Sequence, residues 1–312
     1  MNFKGQHILS TKQFDKDGLI ELFQTAKKME KVVDDARKGK QSKILEGKIL
    51  ATLFFEPSTR TRFSFETAMN RLGGRVISNF DMMNSSSIKK RETLWDTGKV
   101  VSQMTDIIAM RHPEVGSVEK LAKGSDAPVI NAGDGPNQHP TQGLLDVYTI
   151  WKKFGKLSGL TIGMVGDLKY GRVPHSQCDL LKHFGIKFIF VAPKALKMPE
   201  EIVGELKKSK HEVLEVEDFG SVIGQMDVIA MTRIQEERFA NKDEYKKYAG
   251  VYVLDKKLMG KAKKDSIVIH PMPRVDEISS DVDLDSRAKY FEQVKNGVVI
   301  RMALLAKVLG KI

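Results

Sequence analysis

The chain is predicted to be α/β, with two domains that each hold a mostly parallel sheet flanked by helices. Three observations predict this. Short apolar runs alternate with amphipathic helical patterns along most of the sequence. The string GKLSGL interrupts the alternation near the middle, and a fresh series then begins. Arg and His recur just after the apolar runs of both halves, which is where open parallel sheets collect ligands.

Residues 17–39 carry apolar positions at helical spacing and end near Gly39, so they read as a long amphipathic helix. Strands are expected at 48–55, 75–80, 106–111 and 128–131, followed by a helix at about 140–155. In the second series, strands are expected at 160–166, 187–192, 227–232 and 266–270. Helices between them are suggested by QCDLLKHFG, PEEIVGELKKS and EYKKYAG. The last stretch, VKNGVVIRMALLAKVLGKI, reads as a terminal helix that returns to the first domain.

The most informative segment is FFEPSTRTRFSFETAMNRLGG, residues 54–74. It leaves a buried strand and enters a helix whose Phe63, Phe65, Ala68, Met69 and Leu72 fall on roughly one face. Ser58, Thr59, Arg60, Thr61 and Arg62 stand at the helix start. The first N–H groups of a helix lack internal partners, and the helix dipole adds positive potential there. Arg grips phosphate or carboxylate with two parallel hydrogen bonds. An ordinary N-cap followed by solvated arginines is the plain alternative, but two guanidinium groups among three hydroxyls favour an anion site. Further polar groups follow other strands: Arg111-His112, Asn137-Gln138-His139, Asp167 to Arg172, Arg233 and His270. Together they suggest one anionic cleft between the domains.

At 312 residues the chain is long enough for two such cores. No apolar run approaches the roughly 20 residues needed to span a bilayer, and MNFKGQHILSTKQF lacks a secretory h-region. A cytoplasmic location without membrane association is expected. The single cysteine, Cys178, excludes an internal disulfide and reads as a buried, inert thiol. The net charge of +11 raises nucleic-acid binding, but the excess is spread over helical faces without aromatic interleaving. No nucleic-acid partner is expected. His7, His175, His183 and His211 show no metal-ligand spacing, so no metal is assigned. Gly163, Gly166 and Gly171 do not form a dinucleotide fingerprint, and Gly166 fits a tight turn.

The 54–74 segment resembles the carbamoyl phosphate motif of the transcarbamylases. MRHP, NAGDGPNQHPTQGLLD, MVGDLKYGR, MTRIQEER and HPMPRVDEISSDVD resemble the aspartate branch of the aspartate/ornithine carbamoyltransferase family. The likeness runs from about residue 5 to the end, in the family's order. The ornithine branch usually has an H-C-L-P segment where this chain has His270-Pro271-Met272-Pro273. The resemblance implies transfer of a carbamoyl group from carbamoyl phosphate to the amine of L-aspartate, in pyrimidine biosynthesis, without a cofactor. It implies a carbamoyl phosphate-binding domain at 1–139, joined by the helix at about 296–312, and an aspartate-binding domain at 140–295.

Carried over residue by residue, the resemblance assigns Ser58, Thr59, Arg60 and Thr61 to the phosphate. It assigns Arg111, His139 and Gln142 to the carbamoyl end, and Arg172, Arg233 and Gln235 to the aspartate carboxylates. Backbone around Met272 and Pro273 would meet the carbamoyl amide and the incoming amine. Ser86 and Lys90 match a loop that enters a neighbouring subunit's site, with Lys90 also near aspartate, which implies a homotrimer with shared sites. Regulatory chains or other pathway enzymes stay open as partners. Arg60, Thr61, Arg111, His139 and Lys90 are the expected catalytic residues. Glu56, Lys169, Arg238 and Glu244 match positions that take part in domain closure, although surface ion pairs are their default reading.

The chemistry suits these residue types. A phosphate dianion and two carboxylates repel unless cations are fixed beforehand, and Arg60, Arg111, Arg172, Arg233 and Lys90 supply them. Charge then grows on the carbonyl oxygen, where losing one donor typically costs about 3 kcal/mol. His139 reads as a polarising donor rather than a general base, since a phosphate oxygen can accept the amine proton. His112 and His270 read as structural, each ending a strand before Pro.

Four positions depart from the family pattern. Arg91 stands where Gly is usual, and would strain its loop if φ is positive there. Met272 replaces Leu, Pro174 falls in a first helical turn where it is tolerated, and Glu236 replaces a frequent Lys. Three other readings remain at this stage: another amine acceptor such as ornithine, a silent assembly subunit, and a nucleic-acid binder. Every matched ligand position is filled, which speaks against a silent copy.

Overall fold

The computed structural model describes residues 1–234, 239 and 241–312, with backbone alone at 242 and 244. The chain divides into two compact units, Met1–Leu145 with Val294–Ile312, and Asp146–Gln293.

The first unit is built on four parallel strands: β1 (Ile49–Phe54), β2 (Arg75–Asn79), β3 (Ile107–His112) and β4 (Val129–Asp134). Their order is β2-β1-β3-β4. The expected strands are all present, with β4 running three residues beyond its predicted end. Strands β1, β3 and β4 are almost wholly buried, as parallel strands covered on both faces must be. The edge strand β2 is half exposed.

Around this sheet lie α1 (Lys16–Arg37), α2 (Thr59–Arg71), α3 (Leu94–Ser102) and α4 (Ser117–Gly124). Helix α1 starts where Asp15 accepts a hydrogen bond from the Gly18 amide at 2.7 Å, and it buries Leu19, Leu22, Phe23, Ala26, Met29 and Val33. Each of the Leu, Phe, Met and Val side chains contributes about 1.5–3 kcal/mol when fully buried. Helix α2 buries Phe65, Ala68 and Met69, with Leu72 just beyond. Phe63, expected on that same face, is instead 51% exposed. It lies two residues before Phe65, about 200° away around the helix, and stacks beneath the Arg62 guanidinium.

Two helices cross the boundary between the units, α5 (Pro140–Phe154) and the terminal α8 (Tyr290–Val308). Residues 299–306 of α8 are buried all round, which explains their weak amphipathic pattern. Within the first unit, buried Arg301 donates to Ser64 Oγ at 3.1 Å and to Thr141 Oγ1 at 2.9 Å, over the Phe65 ring. One guanidinium thus ties α8 to α2 and to the start of α5.

The second unit has five parallel strands: β5 (Thr161–Val165), β6 (Lys187–Val191), β7 (Glu212–Val216), β8 (Val228–Met231) and β9 (Ile267–Ile269). The order is β7-β6-β5-β8-β9. Helices α6 (Arg172–Leu181) and α7 (Glu200–Lys208) follow β5 and β6. Pro174 is the third residue of α6, where a missing N–H breaks no helical bond. Strand β7 was not expected. Its sequence EVLEV exposes both glutamates, and it occupies a sheet edge with no fully buried side chain. Cys178 is buried and desolvation pushes its thiol well above the ordinary range, as its inert reading requires. Among the described residues, no helix is long and apolar enough to cross a membrane, and no cluster of three His, Cys, Asp or Glu is arranged to hold a metal.

Candidate active site

Each sheet has one point where successive connections leave in opposite directions, and polar residues gather there. In the first unit it lies between β1 and β3, whose register pairs Phe54 with Arg111. The chain leaves β1 through Glu56, Pro57 and Ser58 into α2, so Thr59, Arg60 and Thr61 form its first turn. The Ser58 side chain makes no capping bond, and no acidic residue occupies that turn. No carboxylate within the turn itself compensates its amides and positive end. Thr61 is buried, whereas Thr59 and Arg60 are exposed.

At the end of β3, Arg111 donates through Nε to Glu56 Oε1 at 2.7 Å. The pair is half-buried, with side-chain exposures of 14% and 28%, so Glu56 is not the surface partner expected by default. Desolvation lowers the Arg111 pKa despite the opposing pull of Glu56. Desolvation and the nearby charge of Arg111 lower that of Arg60. A guanidinium partly desolvated beside a second one marks a place where an anion would be stabilised.

His139 is buried immediately before α5, and its carbonyl accepts the amides of Gln142 and Gly143. The loop carrying it is shaped by buried Asp134, which sits opposite His112 in the strand register. Asp134 accepts bonds from the Gln138 amide at 3.0 Å, Asn131 Nδ2 at 3.1 Å and Asn137 Nδ2 at 3.0 Å. Asn131 and Asp134 were not singled out by sequence, since their only signal is polarity inside an apolar strand. His112 is structural as expected. Its Nδ1 accepts the Glu114 amide at 3.0 Å, and its ring packs 4.6 Å from that of Phe55.

Ser86 and Lys90 follow β2 in a short 3-10 turn, Ser87–Lys90. Ser86 Oγ donates to the Met82 carbonyl at 2.5 Å and accepts the Ile88 amide at 3.3 Å. Lys90 is exposed. Among the described residues, no hydrogen bond or ion pair joins either one to Ser58–Thr61 or Arg111. Arg91 ends the turn in the left-handed region at φ 70°. The condition under which this residue would strain its loop is met.

In the second unit the divergence lies between β5 and β8, with Val165 opposite Met231. Gly166 follows β5 at φ 126°, and a Cβ there would lie 2.0 Å from the Thr232 carbonyl oxygen. Only glycine allows these strand ends to approach so closely. Asp167 then accepts the Tyr170 amide at 3.0 Å, shaping the turn that delivers Arg172 to the start of α6. Arg233, half-buried, leaves β8 two residues beyond its end. Gln235 lies outside the described residues, as do Glu236 and Arg238; the Glu244 side chain does too. Lys169 is exposed, with its ammonium 5.1 Å from the Tyr170 ring centroid.

Strand β9 leads to His270, then to Met272 and Pro273. Met272 has φ 52°, and its peptide to Pro273 is cis. His270 Nδ1 accepts the Met272 amide at 2.8 Å. At the far end of the loop, Arg274 forms a two-pronged ion pair with Asp283, whose carboxylate also accepts the Tyr290 hydroxyl at 2.5 Å.

Comparison with known proteins supplies the context. Residues 6–152 match the family model described as "Aspartate/ornithine carbamoyltransferase, carbamoyl-P binding domain", and 158–308 match its "Asp/Orn binding domain". The aspartate carbamoyltransferase catalytic subunit of Clostridium novyi is 49% identical over 98% of this chain and 99% of its own. That of Thermococcus kodakarensis is 48% identical, over 99% of each chain. Among solved structures, Trypanosoma cruzi aspartate transcarbamoylase in complex with carbamoyl phosphate superposes with a TM-score of 0.92 at 39% identity, covering 99% of this chain and 98% of that one. The catalytic subunit of M. Jannaschii aspartate transcarbamoylase gives 0.90 at 46% identity, covering 97% and 98%. Both domains and nearly the full length are thus matched by one family, and the chain belongs to the aspartate/ornithine carbamoyltransferase family.

Proposed function

We propose that the chain transfers the carbamoyl group of carbamoyl phosphate to the amine of L-aspartate, giving N-carbamoyl-L-aspartate and phosphate. The observation that carries the reading is the placement of arginines at both points of divergence. Arg60 and Arg111 stand at that of the first unit, Arg172 and Arg233 at that of the second. The relatives named for aspartate, and the T. cruzi enzyme solved with carbamoyl phosphate and aspartate, support the choice of acceptor.

In this reading Ser58, Thr59, Arg60 and Thr61 hold the phosphate of carbamoyl phosphate. Arg111, His139 and Gln142 hold the carbamoyl oxygen and amide, with Arg111 reaching the phosphate as well. Arg172, Arg233 and Gln235 take the two carboxylates of aspartate. The backbone of Met272 and Pro273 accepts from the carbamoyl amide and the incoming amine. A homotrimer in the cytoplasm is the working assembly, and Ser86 and Lys90 serve a neighbouring copy's site.

The aspartate amine attacks the carbonyl carbon, a C–N bond forms, and charge moves onto the carbonyl oxygen. Thr61, Arg111 and His139 stabilise it there. The C–O bond to phosphate then breaks, and a phosphate oxygen takes the amine proton. Every group that must be neutralised is anionic, so fixed cations and orientation supply the acceleration.

The test supplies carbamoyl phosphate with aspartate or with ornithine and measures the carbamoylated product. N-carbamoyl-L-aspartate is expected. Turnover with ornithine but not aspartate would overturn the acceptor.

A further inference from the structure

The loop between β9 and α8 holds a buried acid and a buried imidazole to which the proposed chemistry gives no role. His270 is 2% exposed and Glu277 is 5% exposed. Their Nε2 and Oε1 atoms are 2.6 Å apart. The approach is off-line for an ideal hydrogen bond. Two bare acceptors would nonetheless repel at that distance, so a proton lies between them.

The other ring nitrogen settles where that proton belongs. The Met272 backbone N–H always carries its hydrogen and points at His270 Nδ1 from 2.8 Å. Nδ1 is therefore the bare nitrogen, and Nε2 carries the proton toward Glu277. Glu277 is held in turn, accepting the amides of Val275 at 3.1 Å and Asp276 at 3.2 Å through its second oxygen. On the opposite side, Gln293 Oε1 accepts the His270 amide at 3.0 Å, and Gln293 Nε2 donates to buried Asp146. Glu277 is the charged group facing the ring, while Gln293 fixes its backbone.

What this arrangement holds is Met272, at φ 52°. A non-glycine residue in the left-handed region is disfavoured and persists when its surroundings over-determine it. The bond from the Met272 amide to His270 Nδ1 is the restraint on this residue from within the loop.

We propose that His270 and Glu277 are a positioning pair for carbamoyl transfer: Glu277 fixes the Nε2–H tautomer of His270, whose bare Nδ1 then sets the backbone of Met272 and Pro273. The inference rests on the carbamoyl-transfer reading, in which that backbone meets the carbamoyl amide and the incoming amine.

Two isosteric substitutions separate the nitrogens. In His270→Asn the side-chain oxygen stands near the Nδ1 position and can accept an amide two residues on, as Asx turns do. In His270→Gln the polar end stands near the Nε2 position, and the acceptor for Met272 is lost. The expected result is a kcat about tenfold higher for His270→Asn than for His270→Gln, the rough worth of one well-placed hydrogen bond. The KM for aspartate should change by less than about twofold in both, because Arg172 and Arg233 hold that substrate. Equal kcat in the two variants, or Gln above Asn, overturns the proposal.

A second measurement does not depend on turnover or on variant folding. Histidine labelled with 15N in the wild-type protein should show His270 with a protonated Nε2 and a bare Nδ1. A protonated Nδ1 overturns the proposal. The expected tautomer together with no turnover by the wild type would leave the loop geometry standing, and would overturn the carbamoyl-transfer reading and with it the catalytic sense of the pair.

Discussion

Arg111 and Glu56 meet through the guanidinium Nε edge at 2.7 Å, at the C-terminal end of β3. The contact fixes the plane of the fork while the two terminal nitrogens remain as its further donors. Glu56 lies two residues beyond β1 and Arg111 is the penultimate residue of β3, so the bond joins the two strand ends from which the connections diverge. It is half-buried, which makes it stronger than an exposed pair and more costly to break.

Glu56→Ala is therefore expected to lower kcat about 10- to 100-fold by releasing the orientation of Arg111, with Glu56→Gln intermediate. Steady-state kinetics with saturating aspartate would check this. Tighter use of carbamoyl phosphate at unchanged kcat would mean that Glu56 merely neutralises Arg111.

Arg60 differs from Arg111 in being exposed and in the first turn of α2. Its charge is available to a phosphate that gains charge as it departs. Arg60→Ala is expected to lower kcat by about 10²–10³-fold, the usual effect of removing one donor aimed at developing charge. Arg233→Ala should act on the other substrate, raising the aspartate KM. A near-normal kcat in the first variant, or a defect confined to carbamoyl phosphate in the second, would reverse these roles.

The strand ends were legible in the sequence because burial on both faces writes parallel strands as short apolar runs. The residues after such runs then fall at one edge of each sheet. Arg111, His139, Arg172 and Arg233 were singled out this way, and the Ser58–Thr61 segment by its residue types at a helix start after a buried strand. Strand β7 escaped because EVLEV at a sheet edge alternates charge with half-buried apolar residues. Phe63 was misplaced because an apolar residue beside a guanidinium can stack on it in solvent instead of entering the core. Asn131 and Asp134 bond each other within an apolar strand, where polarity was their only signal, and Glu56 acts through a partner 55 positions away that no local pattern announces.

Arg91 offers a test of local strain. It occupies φ 70° and ψ 25° at the end of the turn that carries Ser86 and Lys90, and its amide donates to the Ile88 carbonyl at 2.8 Å. Left-handed backbone costs a non-glycine residue about 1–2 kcal/mol, partly offset by the greater chain entropy of glycine when unfolded. Arg91→Gly should stabilise the turn by about 1 kcal/mol, and Arg91→Val should destabilise it. Hydrogen exchange of the amides from Ile88 to Glu92 would read this as slowing of about fivefold in the glycine variant. Exchange that is faster in Arg91→Gly would show that contacts of the arginine side chain outweigh its backbone cost.

Three histidines contribute to the dependence of stability on pH. His7, His112 and His175 all have pKa values lowered from the ordinary 6.5, in each case chiefly by burial. His7 Nδ1 accepts the Val129 amide and His112 Nδ1 the Glu114 amide, both at 3.0 Å, so protonating these nitrogens also breaks a bond. The unfolded chain takes up these protons near pH 6.5, while the folded chain resists until its lowered values are reached. Below about 6.5 the unfolded state therefore binds more protons, and stability falls as pH falls. The full contribution is present above 6.5. A second loss follows at lower pH from Glu277, whose carboxyl is pushed up by burial but brought net below the ordinary range by His270 and backbone amides. That stability is present above about 4.5 and is lost as pH drops through the depressed value. Urea midpoints should be lower at pH 5.5 than at pH 7.5. His7→Asn and His112→Asn together should flatten that difference, because an asparagine oxygen can accept the same kind of amide bond without titrating. A midpoint that is flat or rises toward pH 5.5 in the unmodified chain would contradict the assignment of His7 and His112 as desolvated acceptors.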